Sequence, residues 1–124
     1  MGRTSGRAGI VSRAKKGGTD KVAVLVTCGS RKEALRIGRA VIEQRLAACA
    51  NVARSPMDSV YRWKGKIETT QEFLLIMKTS RARFDALQKA IRRLHSYDLP
   101  EIIALPVAEG EAGYLAWIAE SVKN

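Results

Sequence analysis

Residues 58–79 read DSVYRWKGKIETTQEFLLIMKT, and the fold of the chain follows from this stretch. Two runs that suit β-strands, Asp58–Trp63 and Ile67–Thr79, flank the tripeptide KGK. Because glycine adopts positive φ at little steric cost, Gly65 suits a tight turn between antiparallel strands. The stretch therefore predicts a β-hairpin with its turn at Gly65.

A further strand precedes this hairpin and lengthens it. Ala48–Arg54 is strand-like, and Pro56 interrupts its continuation because proline cannot donate to a β-ladder. The interruption predicts a bulge or a sheet edge. A hairpin that extends over Ala48–Thr79 exceeds what one small sheet can pair, and it would expose long strand edges. We therefore expect the chain to associate with copies of itself.

The segment before the hairpin predicts a strand and a helix. Lys21–Thr27 is an apolar run, typical of a strand that is covered on both faces. Ser30 and Glu33 have the spacing of a capping box, in which Ser30 accepts from the Glu33 amide and the Glu33 carboxylate reaches back to the helix start. The helix carries an apolar stripe formed by Leu35, Ile37, Val41, Ile42 and Leu46.

The segment after the hairpin predicts two helices and a strand. Thr79-Ser80 is the expected N-cap of a second helix, Glu101–Val107 the expected last strand, and Tyr114–Val122 an expected C-terminal helix. The order is β-α-β-β-α-β followed by a helix. It predicts an α+β, ferredoxin-like split β-α-β fold, with an antiparallel sheet of four strands and two helices on one face.

Length and composition indicate one domain with a basic tail. The chain has 124 residues, of which 46% are hydrophobic, so a single core suffices. Residues 1–20 predict a flexible tail, and residues 21–124 form the expected domain. No apolar run approaches the ~18 residues of a membrane span, so we expect no membrane insertion. The two cysteines, Cys28 and Cys49, are too few for a disulfide scaffold and favour the cytoplasm.

The chain carries a formal net charge of +10 at pH 7. Residues 1–20 contain five basic residues and one acidic residue. Such an excess either attracts nucleic acid or another polyanion, or belongs to a solvated surface. We favour the solvated surface, because no aromatic residues are interleaved with the charges as in single-strand binding proteins. Nucleic acid is therefore not an expected partner.

Few residues suit catalysis or metal binding. His95 is the only histidine, so any Ser-His-Asp or Cys-His device would have to use it. Cys28 precedes a predicted helix N-terminus, where the helix dipole would lower a thiol pKa, but it also suits a small buried hydrophobe. Cys49 lies between two alanines, as a packing residue would. The chain has no Cys-x-x-Cys motif and no phosphate-binding glycine motif, and we expect no enzyme activity.

A group of aromatic and polar residues remains. Tyr61 and Trp63 are two residues apart and therefore share one face of a strand. Such a pair either covers a core or lines a pocket, and one small domain has little core left for so long a hairpin, so we favour a role between subunits. The residues grouped with them are Lys78, His95, Tyr97 and Glu101.

Six segments carry a resemblance to a known family. They are Leu25–Cys28, Arg45–Asn51, Ser59–Ile67, Ile76–Thr79, His95–Val107 and Tyr114–Ile118. In order and at matching spacing, these segments resemble the CutA divalent-cation tolerance family. The resemblance covers residues 21–122 and leaves out only the basic tail.

The resemblance implies an assembly and a function. Members of the family are ferredoxin-like and form homotrimers in which the long hairpin strands pair across subunits, as in PII-type signalling proteins. They are linked to tolerance of copper and other divalent metals, some bind copper, and no catalytic reaction is established. The implied functional sites are clefts between subunits, lined here by Tyr61, Trp63, Lys78, Tyr97 and Glu101, with His95 beside them.

The implied copper site is only partly present. The family pattern has a cysteine in the first strand and two adjacent histidines at the end of the second helix, where this chain has Val26 and Leu94-His95. His95 and Cys28 remain as candidate ligands for copper or another divalent ion, with weak binding that folding does not require. The alternatives are a PII-like effector-binding signalling protein and an RNA-binding module, which shares the topology but would need an aromatic signature that the strands lack.

Overall fold

The strands and helices follow the expected order in the computed structural model, which describes residues 18–124. None of the helices in this part of the chain is long and apolar enough to cross a membrane. The bounds are β1 Lys21–Cys28, α1 Arg31–Glu43, β2 Cys49–Val52, β3 Met57–Trp63, β4 Lys66–Ser80, α2 Phe84–Leu94, β5 Ile102–Pro106 and α3 Ala112–Ser121.

Four strands form an antiparallel sheet in the order β2-β4-β1-β5. Side chains alternate along a strand, so every second residue of β1 and β4 points to the same layer. This set packs against Ile37 of α1 and against Leu87 and Ile91 of α2. The two helices thus share the core on one sheet face, and the predicted α+β, ferredoxin-like fold is confirmed. The strand residues in this core are Val22, Val24, Val26, Cys28, Leu75 and Met77.

A bulge interrupts the second strand of the fold at Pro56, as predicted. Ala53 of the first part still donates to β4, with 2.9 Å between its nitrogen and the Leu74 oxygen, and pairing resumes at Met57. Residues 54–56, which include Pro56, lie opposite a single residue of β4, Phe73. The bulge keeps proline out of the ladder, where its missing N–H would cost a hydrogen bond.

β3 and the first half of β4 continue beyond the sheet as a two-stranded ribbon. β4 has 15 residues, of which Phe73–Ser80 pair with β1 and Lys66–Glu72 pair with β3. The ribbon turns at Lys64 and Gly65, whose φ values of 50° and 81° give a left-handed two-residue turn. This turn matches the twist of the flanking strands. The structure therefore contains the predicted hairpin with its turn at Gly65.

Helix α1 uses a different buried stripe from the predicted one. Ile37 is buried as expected, but Leu35 and Ile42 are 44% and 37% exposed. Gly38 sets the closest contact between α1 and the sheet, because a Cβ at this position would lie 3.0 Å from the Cβ of Ala50 in β2. The helix approaches the sheet through this gap, which turns the two larger residues outward.

The predicted cap of α2 is wrong. A short 3-10 turn, Arg81–Arg83, separates Ser80 from the helix, and Ser80 makes no side-chain capping bond. Thr79 is still part of β4, and its buried hydroxyl donates to Leu46 O at 2.8 Å. The alternation of the strand points this hydroxyl into the protein, so it is not free to cap a helix.

Two residues before Lys21 form hydrogen bonds with the domain. Thr19 donates to Val107 O from its backbone nitrogen at 3.0 Å and from its hydroxyl at 2.8 Å. Asp20 O accepts from Arg81 N at 2.7 Å. Thr19 and Asp20, which the sequence assigns to the tail, are therefore bonded to the domain, while residues 1–17 lie outside the described part of the chain.

Candidate functional site

A cavity of about 830 Å³ opens between the ribbon of β3 and β4 and the loop that precedes β5. This volume is in the range of small-molecule sites. Its lining combines three carboxylates, three phenol or indole rings, three hydroxyl side chains and three apolar residues. They are Glu72, Asp98 and Glu101; Tyr61, Trp63 and Tyr97; Thr27, Ser59 and Thr70; and Val60, Leu99 and Pro100.

The register of the ribbon places most of its lining residues on one face. Ser59, Tyr61 and Trp63 alternate along β3, and Ser59 pairs with Thr70 of β4. Glu72 lies two residues further along β4 and faces the same way. Since a two-residue turn fixes the register of a hairpin, the turn decides which residues of β4 join the aromatic pair.

Glu72 and Tyr97 connect the two sides of the cavity. The Tyr97 hydroxyl donates to Glu72 Oε2 at 3.0 Å, and Glu72 is only 7% exposed. Burial of the phenol, together with its hydrogen bond to Glu72, raises the pKa of Tyr97 to about 12. Gly29 makes room for this ring, because a Cβ there would lie 3.3 Å from the Tyr97 hydroxyl. The cavity thus contains a buried carboxylate that a neutral phenol holds in place.

Four of the five predicted cleft residues meet in this cavity. The exception is Lys78, which lies in the half of β4 that pairs with β1. Its Nζ donates to Asn51 Oδ1 at 2.6 Å, so this lysine fastens β2 to β4 and does not line the cavity. The four that do are Tyr61, Trp63, Tyr97 and Glu101.

Sequence reasoning missed several cavity residues, of which Glu72 is the most informative. Once the turn is assigned at Gly65, counting outwards in pairs places Glu72 on the same face as Tyr61. The hairpin pattern therefore contained the signal. Thr27 and Asp98 gave no comparable signal, because the packing of β1 beside β4 and the course of the loop before β5 bring them to the cavity.

His95 lies behind the cavity wall, and both of its ring nitrogens are engaged. It is 8% exposed, and its ring centroid is 4.7 Å from that of Tyr97. Nε2 lies 2.8 Å from Thr27 O, and Nδ1 lies 3.1 Å from Tyr97 N. A carbonyl only accepts and an amide only donates, so Nε2 carries the proton and Nδ1 accepts. The imidazole is therefore neutral in this arrangement, and neither nitrogen has a free lone pair.

Cys28 and Glu33 form a cluster with His95. One donor atom from each residue lies within 4.8 Å of the other two. Glu33 Oε2 accepts from Ser96 N at 2.7 Å and does not reach back to the start of α1, as the capping box would require. Cys28 is fully buried, and this burial, reinforced by the charges of Glu33 and Glu72, raises its pKa to about 12. The burial of Cys28 thus favours its interpretation as a small buried hydrophobe over that of a thiol activated by the helix dipole.

The donor types in this cluster suit copper or zinc, and in this structure the donor atoms of Cys28 and His95 are protonated or hydrogen-bonded. A metal requires a thiolate and a free imidazole lone pair. The Cys28 thiol keeps its proton at neutral pH, and both His95 nitrogens are occupied. An ion that bound here would therefore have to displace the Cys28 proton and one of the two His95 hydrogen bonds. The hydrogen bonds of the cluster attach the loop after α2 to β1 and α1.

The sheet face opposite α1 and α2 is not an aromatic platform. Leu25 pairs with Ile103 there, and Ile103 and Leu105 are each 47% exposed. Helix α3 covers the side near Cys49, whose sulfur lies 3.6 Å from the Tyr114 hydroxyl. RNA recognition domains of this topology stack bases on aromatic residues of the sheet. Aliphatic side chains in those places give the RNA-binding alternative no support.

Known proteins are similar to this chain in fold and in sequence. The family model described as CutA1 divalent ion tolerance protein matches residues 22–121. The chain belongs to the CutA family. The divalent-cation tolerance protein CutA of Thermus thermophilus is 44% identical over 98 residues, which cover 79% of this chain and 94% of that protein. Protein CutA of Mus musculus is 46% identical over 105 residues, which cover 82% of this chain but 59% of the mouse protein.

Solved CutA structures agree with the architecture. CutA of Xylella fastidiosa superposes with a TM-score of 0.81 at 39% identity, over 85% of this chain and all of that chain. A CutA of Archaeoglobus fulgidus, described as periplasmic, has a TM-score of 0.80 at 37% identity, over 83% of this chain and 99% of that chain. The predicted CutA family is thus confirmed, and its relatives are named for divalent-cation tolerance.

Proposed function

We propose that the chain forms a homotrimer that binds a ligand, contributes to divalent-cation tolerance and has no enzyme activity. We further propose that its ligand site is the cavity. The observation that carries the proposal is the Glu72–Tyr97 hydrogen bond, which joins the ribbon to the loop before β5 at a buried carboxylate. Beyond Glu72, the ribbon side of the cavity is largely exposed in its own chain. The family membership supports the tolerance function. A cavity of this kind also suits a small effector molecule. A PII-like signalling protein that binds such an effector is therefore the alternative function for the same site.

Exposed apolar side chains on the ribbon support the assembly. Val60 and Ile67 are 67% and 69% exposed, and Tyr61 and Trp63 are 43% and 44% exposed. A two-stranded ribbon is marginal at best when it stands alone in water. Neighbouring copies that cover the ribbon would bury Val60 and Ile67 and would place the cavity between subunits. The number of three subunits follows from the resemblance to the family.

Light scattering of the full chain at micromolar concentration tests the assembly. We expect a mass three times the 13.6 kDa of the chain. A monomer under these conditions would contradict the proposal, because the exposed ribbon would then need no partner.

For copper or another divalent ion, we propose weak binding at His95 and Cys28, with Glu33 as a third donor. The rise in the Cys28 pKa from 9.0 to about 12 adds on the order of 4 kcal/mol to the cost of forming the thiolate. His95 must also release Thr27 O or the Tyr97 amide before it can coordinate. Folding does not depend on such an ion, since the cluster is hydrogen-bonded without it.

Calorimetric titration of copper into the full chain tests this proposal. We expect weak binding that His95→Ala abolishes. Cys28→Ala is a second variant, because it removes a donor while both His95 hydrogen bonds remain. Tight stoichiometric binding, or binding that survives both substitutions, would show that other residues hold the ion.

We also propose a cytoplasmic location. Cys28 and Cys49 are both free thiols, which are typical of a reducing compartment. Relatives are named for other compartments, periplasmic in Archaeoglobus fulgidus and chloroplastic in rice. Cell fractionation tests the proposed location, and recovery of the protein in an oxidising compartment would contradict a cytoplasmic location.

A further inference from the structure

The charge of the cavity is opposite to that of the molecule. The chain carries +10 overall, yet the lining contains Glu72, Asp98 and Glu101 and neither lysine nor arginine. Within residues 18–124 none of these three carboxylates forms a salt bridge. Uncompensated negative charge beside apolar walls attracts a cation more strongly than it would in open water.

Aromatic faces accompany the carboxylates. Tyr61 and Trp63 project from the ribbon into the cavity with nearly half of their surfaces exposed. The Trp63 ring already lies close to a cation, since Lys64 Nζ is 6.0 Å from its centroid. The face of an aromatic ring attracts cations through its quadrupole, and rings combined with carboxylates recognise alkylammonium groups.

We propose that the cavity binds an organic ammonium ion, whose carbon groups pack on Tyr61 and Trp63 and whose charge lies near Glu72. This inference rests on the proposed function, because it takes the cavity as the ligand site and adds the chemistry of the ligand. The volume of about 830 Å³ accommodates such a molecule.

A bare metal ion fits the cavity less well than an organic cation. In the described part of the chain, the Cys28, Glu33 and His95 cluster is where three donors from His, Cys, Asp or Glu residues converge. The three carboxylates of the cavity do not converge in that way. Calcium and magnesium need several oxygens at about 2.0–2.6 Å, so dispersed carboxylates suit a larger ion with spread charge. The same carboxylates repel anionic ligands such as nucleotides.

Fluorescence titration of the full chain with choline tests the inference. The Trp117→Phe background leaves Trp63 as the reporter, since the chain has two tryptophans. The matched probe is 3,3-dimethylbutan-1-ol, which has the shape of choline without its charge. At constant ionic strength we expect choline to bind about tenfold more tightly than the alcohol. Equal affinities, or no choline binding at millimolar concentration, would overturn the inference.

Variants separate the cavity from the general charge of the protein. Glu72→Gln keeps the shape of the side chain and removes its charge, so we expect choline binding to weaken about tenfold and alcohol binding to stay unchanged. Asp58→Asn is the matched control, because Asp58 pairs with Gln71 on the other face of the ribbon. Equal losses in both variants would overturn the inference. Should Glu72→Gln unfold, the exposed Glu101 provides the second variant, Glu101→Gln.

The assembly and the ligand chemistry fail separately. Every residue named for the ammonium site belongs to one chain. Light scattering on the titrated sample therefore distinguishes the two proposals. A trimer that does not bind choline would overturn the ammonium site and support the proposed assembly. A monomer that binds choline would support the site and contradict the trimer.

Discussion

Glu33 joins two parts of the chain that are 63 residues apart, through the bond from Ser96 N to its carboxylate at 2.7 Å. Its Oε2 also lies 3.8 Å from Nδ1 of His95, and its side chain is 10% exposed. A backbone amide that donates to a buried carboxylate contributes about 1.5–3 kcal/mol. We expect Glu33→Ala to lower the free energy of unfolding by about 2 kcal/mol in urea denaturation. Glu43→Ala, at an exposed site of the same helix, should change it by less than about 0.5 kcal/mol, and equal losses would contradict this role.

Cys28 and Tyr97 keep their protons above their ordinary pKa values of 9.0 and 10.0, since both have a pKa of about 12 in the folded chain. From about pH 9 upward the unfolded chain therefore binds fewer protons than the folded chain, so stability falls as the pH rises. Below that range the contribution of both groups is fully present. The slope approaches ~1.4 kcal/mol per pH unit for each group. Denaturation curves between pH 8 and 11 measure it.

The controls for this pH dependence remove one group at a time. Tyr97→Phe should flatten the decline above pH 10, where the phenol of the unfolded chain ionises. Cys28→Ala should lower stability at neutral pH through lost packing and give a shallower decline above pH 9. A profile that neither substitution alters would show that other groups cause the decline.

Sequence alone grouped several residues of the candidate site, but it did not predict their contacts. His95 and Cys28 were chosen for the chemistry of their side chains, and both lie in one cluster. Both His95 nitrogens form hydrogen bonds within the chain. These bonds depend on distances that the sequence pattern does not contain. The family resemblance placed Lys78 in the cleft, yet Lys78 lies in the half of β4 that pairs with β1 and β2, where it donates to Asn51.

At the scale of elements, the ribbon leaves most of its side chains exposed in its own chain. Ile67 is 69% exposed within its own chain. Substitution of such a side chain in a monomer changes stability by less than about 0.5 kcal/mol. If neighbouring subunits cover the ribbon, Ile67→Ser should weaken association, measured as a shift to lower mass on dilution in sedimentation experiments. Gln71→Ser, on the same ribbon face and already polar, is the matched control and should not shift the mass. Identical dilution behaviour of both variants would contradict a covered ribbon.

Strands were easier to predict than helix faces, for a physical reason. Gly65 and Pro56 restrict the backbone directly, so the turn and the bulge are properties of single residues. The orientation of α1 depends instead on which residue meets the sheet. Gly38 allows the closest approach, and the apolar pattern that favoured Leu35 does not record that distance. The cap at Ser80 failed for a similar reason, because strand pairing extends through it.

At the scale of the molecule, the positive charge belongs mainly to the helical layer. Residues 31–45 and 81–94 hold ten of the seventeen basic residues of 21–124 but three of its eleven acidic residues. Three of these arginines donate to carbonyls at helix C-terminal ends, where positive charge is favoured by the helix dipole. Part of the excess positive charge therefore has a structural use. The pairs are Arg36 with Leu94 O, Arg83 with Arg45 O, and Arg45 with Ser121 O.

The position where the domain begins can be tested by a pair of truncations. Removal of residues 1–17 leaves every bond of Thr19 and Asp20 in place, so we expect an unchanged free energy of unfolding and an unchanged assembly. Removal of residues 1–20 leaves Val107 O and the amide of Arg81 without these partners, which should cost about 1–3 kcal/mol. Thr19→Ala in the full chain removes the hydroxyl donor and keeps the backbone bond, so its loss should be smaller. Chemical denaturation of the three proteins measures the difference, and equal stability of the two truncations would show that the domain begins at Lys21, as the sequence alone suggested.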